Sequence, residues 1–283
     1  MENYNINSTN NNNTETNNNF NMNDHTAYSS YSRYATEDNE YKPYTYPAFE
    51  SGFESGNPVI ADMQCVKTLM TEEVIAKSFI FMCAALLITA LAAFTTSIET
   101  AIYLLTGSRF YILLGVELAI VFASNYVIGK NMPLAAGVLY AVYSYLNGVT
   151  LSIIFMAYTT ASVTAIFLVT AGLFGIMAVY GLVTKKDLSS IGNICMMGLV
   201  GIIITGLVNI FFLRSSMADT VICAIGVLIF VGLTAYDTQK IKERVAIATD
   251  ETVMTLALYG GFQLYLDFIN LFLKLLRLFG KKK

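Results

Sequence analysis

The stretch LYGGFQLYLDFINLFLKLLRLFG, residues 258–280, places one carboxylate, Asp267, among Leu, Phe, Ile and Tyr. On a helix in water a lone Asp would face the solvent, so the role of Asp267 depends on what surrounds the segment. Composition answers that. Of 283 residues 55% are hydrophobic and only 13% charged. A water-soluble domain carries about a quarter charged residues, so the balance indicates a polytopic membrane protein.

Working outward, apolar runs of about 20 residues, the length that crosses about 30 Å of hydrocarbon, follow one another from Thr71 onward. Spans are predicted at 74–96, 109–129, 133–157, 161–183, 191–213, 219–238 and 253–277. The breaks between them, including GKNM before Pro133, TKKDLSS (184–190), LRSSMAD (213–219) and TQKIKERVAIATDE (238–251), hold charges and turn formers that are costly in lipid. Backbone groups in a bilayer must be satisfied within each segment or within a closed barrel, and these runs do not alternate as barrel strands do. The expected class is therefore all-α: a seven-helix membrane bundle with the last helix central or re-entrant.

Residues 1–70 differ. They hold nine acidic and three basic side chains and are rich in Asn, Tyr, Ser and Thr. Such a segment buries too little apolar area to offset its ordering entropy, so the domain reading is a disordered acidic tail over 1–70 and a membrane domain over 71–283. Lys and Arg in the second, fourth and sixth loops (Lys130; Lys185 and Lys186; Lys240, Lys242 and Arg244) share the side of the N-terminus, which predicts a cytoplasmic N-terminus. Lys281, Lys282 and Lys283 conflict with that bias if all seven spans cross. A plasma membrane of a bacterium is the expected location.

Cys65, Cys83, Cys195 and Cys223 have no metal-ligand spacing, and glycines 172, 175, 198, 201, 226 and 232 read as close-packing positions between helices. Neither a phosphate-binding loop nor a hydrolase motif is present, so no catalytic residue and no cofactor is expected. What stands out is a set of carboxylates within spans: Glu117 in YILLGVELAIVFA (111–123), Asp237 in GLTAYDTQKIK (232–242) and Asp267. A charge at the centre of a membrane helix costs about 2.5–3.5 kcal/mol on insertion scales, so such residues usually face a partner or water. The competing reading of each is a protonated, hydrogen-bonded packing residue.

YGLVTKKDLSSIG (180–192), GLTAYDTQKIK, NGVTLS (147–152) and above all LYLDFINLFLKLLRLFG (264–280) together resemble the Bax inhibitor-1 family, also called the transmembrane Bax inhibitor motif family. The resemblance spans about residues 70–280. It implies seven helices, calcium leak across a membrane, a role in suppressing cell death in eukaryotes, and a pH-sensing aspartate pair, which falls on Asp237 and Asp267. The family's acidic residue of the second span falls on Glu117. Bacterial relatives can carry arginines at the end of that span that latch the pair; here ASNYVIGKNMP (123–133) supplies only Lys130.

The physics beneath the resemblance is general. Two carboxyls in contact in a low-dielectric interior cannot both ionise cheaply, so they titrate as a unit. One shared proton bridges the helices; loss of it favours separation and water entry. With Asn147 and Asn270 the carboxylates could line an ion pathway, and Asp237 and Asp267 are the expected metal contacts, too few for a tight Ca2+ cage of about six to eight oxygens. The expected function is a pH-sensitive calcium leak channel. A cation/proton exchanger and a membrane interaction protein are the alternatives, and an intramembrane aspartyl protease is disfavoured because no Gly-x-Gly precedes Asp267. Lipid, Ca2+ and protons, not nucleic acid, are the expected partners; those of the tail are open.

Overall fold

The computed structural model describes residues 58–245 and 252–283. Its helices are α1 (Pro58–Thr95), α2 (Ile98–Leu105), α3 (Ser108–Gly129), α4 (Pro133–Ala157), α5 (Thr160–Val183), α6 (Ser189–Val208), continued by a π-helical turn Asn209–Leu213, α7 (Ser216–Val245) and α8 (Val253–Phe279). Seven of these are long and apolar enough to cross a membrane, α2 being the exception. The seven predicted spans coincide with them in position. α1 reaches back to Pro58, beyond the predicted start at 74, and its stretch Lys67–Thr95 is long and apolar enough to span. The tail reading otherwise falls on residues outside those described.

Local chemistry sets the breaks. Pro133 begins α4, where its missing N–H costs nothing, after Asn131 turns the chain in the left-handed region at φ 53°. Thr159 caps α5, its hydroxyl accepting from the Ser162 N–H at 3.4 Å. The π turn closes on Arg214, at φ 48°, and the Asn209 amide clasps the Ser215 backbone through both its atoms, at 3.0 and 3.2 Å.

α8 is the axis of the bundle. In its most apolar window 67% of residues are buried, against 11% in each of α3 and the α6 span, and α1 and α7 flank it most extensively, with α3, α4 and α5 also touching it. It is one continuous helix of 27 residues, so it is the central alternative that holds and not the re-entrant one. Phe268 is wedged edge-on against Phe167 and Phe174 of α5, with ring centroids 5.3 and 5.4 Å apart, and Phe262 meets Tyr140 and Tyr143 of α4 at 5.2 and 5.3 Å. The outer helices present Phe122, Leu134 and Phe212 outward, as lipid-facing surfaces do.

The structure keeps the C-terminal lysines at the end that the charge bias disfavours. Lys281 and Lys283 pair their backbone with Thr159 and Ala157 at 3.0 Å each, and Arg277 forms an ion pair with Asp219 at the start of α7 at 2.9 Å. The C-terminal lysines therefore dock beside the α4–α5 connector, at the end of the bundle opposite the second, fourth and sixth loops.

The glycine reading holds in part. A Cβ at Gly198, Gly226 or Gly232 would press on Ile229, Lys274 or Cys195, whereas at Gly172, Gly175 and Gly201 it would meet nothing within 4 Å. Gly172 and Gly201 are exposed and Gly175 is half-buried, so a side chain at any of the three would have room. Closer approaches occur elsewhere: at Gly148 a Cβ would collide with the Thr89 carbonyl and the Ala92 methyl, so this glycine lets α1 and α4 touch backbone to backbone. Gly148→Ala should force that seam apart and lower stability by about 1–3 kcal/mol, read as a fall in the thermal midpoint of the detergent-solubilised protein. An unchanged midpoint would contradict the seam.

Candidate functional site

α7 and α8 bring Asp237 and Asp267 together. Both side chains are buried, at 8% and 3% exposure, and the two carboxyls lie within hydrogen-bonding reach of one another. On α8, Leu264, Asp267, Phe268 and Leu271 are all buried, because positions three, four and seven apart share a helix face. Gln263, one turn before Asp267, donates its Nε2–H to Asp237 Oδ2 at 3.1 Å. Asp267 Oδ2 meets no hydrogen-bond donor among the described residues. A carboxylate accepts only, so two carboxylates in contact are left short of a donor that one carboxyl proton would supply.

Polar groups continue from the pair toward the end of α7. Tyr259, Gln263 and Asp267 recur at intervals of four on α8, and the Arg244 guanidinium of α7 sits 4.4 Å from the centre of the Tyr259 ring and acts electrostatically on Asp237. Lys130 is elsewhere: it caps α3 and lies 5.0 Å over the ring of Tyr126 on its own helix.

Glu117 and Asn147 belong to a second polar group, on the other side of α8. Thr150 donates to Glu117 Oε1 at 2.7 Å, and Asn147, one turn earlier on α4, donates to the Tyr265 hydroxyl at 2.7 Å. That hydroxyl also pairs with Thr89 Oγ1 at 2.8 Å, and Thr89 Oγ1 reaches the Ser144 carbonyl at 2.9 Å. Tyr265 itself is fully buried. Two residues separate Tyr265 from Asp267, a turn of about 200° at about 100° per residue, which is why the two polar groups occupy opposite faces of α8.

Asn270 joins neither. Its amide donates to the Leu266 carbonyl of its own helix at 2.8 Å, and it lines a cavity of about 190 Å³ with Ile154, Tyr158, Lys274 and Arg277 near the C-terminal end. Five residues beyond Tyr265, it is rotated by about 140° and raised by about 7.5 Å along the helix. No cluster of three or more His, Cys, Asp or Glu side chains that could hold a metal ion occurs among the described residues. Cys83 is exposed, Cys195 and Cys223 are buried, and Cys65 lies outside the residues whose side chains are described.

The sequence motifs around the site meet in space. Gln239, two residues past Asp237, accepts from the Leu188 N–H and donates to the Lys186 carbonyl, both at 2.9 Å, while Lys242 reaches the Leu182 carbonyl at 3.0 Å. The α5–α6 loop is thereby pinned to the helix that carries Asp237. Within that loop the Ser189 N–H and hydroxyl hold the Asp187 carboxyl below the usual carboxylate range.

Comparison with known proteins places these features in a family. The family described as inhibitor of apoptosis-promoting Bax1 matches residues 71–283. The chain is 43% identical over 214 residues to the inner membrane protein YbhL of Escherichia coli (strain K12), covering 74% of this chain and 91% of that protein. It is 42% identical over 220 residues to an uncharacterized protein of Borreliella burgdorferi, covering 76% and 94%. An uncharacterized protein of Rickettsia prowazekii is 40% identical over 210 residues, covering 73% and 89%.

Proposed function

The chain belongs to the Bax inhibitor-1 family, and from that premise we propose that it is a pH-sensitive cation leak channel, with calcium as the permeating ion, gated by Asp237 and Asp267. One observation carries the reading: two buried carboxyls from neighbouring helices face each other, with an Asp267 oxygen that meets no donor among the described residues. With one proton shared, the pair ties α7 to α8. With both sites ionised, repulsion opposes that contact, and water and cations are drawn between the helices. Glu117, held by Thr150, supplies a further negative group beside the Tyr265 network.

A test separates this from a cation/proton exchanger. Calcium entry into liposomes holding the protein, with the same pH inside and out, should proceed by leak. Entry that occurs only when a proton gradient is imposed would favour the exchanger and overturn the channel.

The membrane and side are proposals as well. That the Escherichia coli relative is named an inner membrane protein supports a bacterial plasma membrane here. The basic second, fourth and sixth loops support a cytoplasmic N-terminus. A cysteine placed at Lys185 should react with an impermeant thiol reagent only from the cytoplasmic face; reaction from outside would reverse the orientation.

A further inference from the structure

We infer that Gln263 is a positioning residue that decides which carboxyl of the pair keeps the proton: its amide donates to Asp237 and leaves the proton on Asp267. The inference rests on the pair being the titrating unit, and not on the pair conducting calcium. Its basis is the asymmetry of the two sites. Asp237 Oδ2 receives the Gln263 N–H at 3.1 Å, while Asp267 Oδ2, more deeply buried, receives nothing among the described residues. Hydrogen bonds to a charged form favour it, so the negative charge settles where the donor is. The protonated Asp267 can then donate to Asp237, and the single proton completes the arrangement. A carboxylate accepts and does not donate, so the amide of Gln263 must present its nitrogen to Asp237.

Arg244 of α7 works in the same sense as Gln263, acting on Asp237 from the end of the helix without touching it. Lys240 forms an ion pair with Glu243 at 2.8 Å, its amine lying 5.7 Å over the ring of Tyr236. On α8, Tyr259 lies under Arg244 and Tyr265 faces the opposite network. α1 contributes the ion pair of Glu73 with Lys77 and the thiol of Cys83, and α3 contributes Glu117, bound to Thr150. Tyr140 of α4 donates to the Gly261 carbonyl, and Tyr143 stands edge-on to Phe262. Tyr180 of α5 is exposed, and Cys195 of α6 is packed on Gly232. Gln263 is the neutral donor that touches one carboxyl directly.

The proton can be read without any transport assay, from the infrared absorption of protonated carboxyl groups in the full-length protein reconstituted in liposomes and titrated with pH. Gln263→Met keeps the side-chain volume and removes the donor. In the variant the pair should take up its second proton, on Asp237, about one pH unit higher than in the wild type, a tenfold change for loss of a hydrogen bond to a charged group, while the last proton, on Asp267, should leave at nearly the same pH because the Gln263 bond is present before and after it goes. Two further variants place the proton without touching Gln263: Asp267→Asn should abolish the protonated-carboxyl band, whereas Asp237→Asn should retain it. An unshifted midpoint for the second proton in folded Gln263→Met protein, or a band lost in Asp237→Asn and kept in Asp267→Asn, would overturn the assignment. A shifted midpoint with no calcium flux in the wild type would sink the channel reading and leave this one standing.

Discussion

Asp267→Asn protein should insert and fold, yet carry calcium at a rate that no longer changes across neutral pH. The substitution preserves size and replaces one oxygen by an amide nitrogen that can donate to Asp237 at every pH. The bridge that the wild type makes only with a proton then becomes permanent, and the helices α7 and α8 stay joined. Wild-type flux should vary by up to about tenfold per pH unit on the closed side of its midpoint, the limit for one titrating proton. In the variant it should remain flat and low. Glu117→Gln is the matched control. Glu117 lies with Thr150 and the Tyr265 network, on the opposite face of α8 from the pair, so its loss should change the rate more than the midpoint. Flux through folded Asp267→Asn protein that titrates as in the wild type would return Asp267 to the role of a packing residue.

Tyr265→Ala should be among the most destabilising single changes in the protein, by about 3–5 kcal/mol, the range for truncating a buried aromatic ring to Ala. The ring is fully buried in the helix that the rest of the bundle surrounds, and stands edge-on to Tyr140 and Tyr143 at 5.7 and 6.0 Å. Its hydroxyl also joins α1 and α4 through Thr89 and Asn147, which lose their partner together. Tyr265→Phe isolates the polar part: the packing stays, and about 1–3 kcal/mol is lost through the buried groups left unpaired. The measurement is the thermal midpoint in detergent. A midpoint for Tyr265→Ala within experimental error of the wild type would contradict the central place given to α8.

Much of this architecture is legible from one-dimensional patterns. Long apolar runs between polar breaks locate all seven spans, because a bilayer demands a helix of fixed minimum length wherever such a run occurs. The pairing of Asp237 with Asp267 is implied by the family resemblance; the cost of a lone buried charge adds only that each carboxyl should face a partner or water. Gln263 lies one helical turn from Asp267, but an uncharged amide lacks the insertion cost that singles out a carboxylate in a span. Tyr265 was invisible because an aromatic residue in an apolar run gives no sign of where its hydroxyl points. Residue type alone groups Asn270 with Glu117 and Asn147, but its rotation around α8 takes it to the cavity near Lys274 and Arg277 instead. The docking of Lys281 and Lys283 on the α4–α5 connector is a backbone pairing between distant segments, which charge counting does not reveal.

The account stands most directly on calcium flux into liposomes containing the wild-type protein, measured over a series of pH values with the same pH on both faces. It predicts low flux where the aspartate pair shares a proton and a rise through a single titration step as that proton leaves. Flux that is absent, or that stays constant through the pH range in which the infrared signal shows the pair titrating, would contradict it.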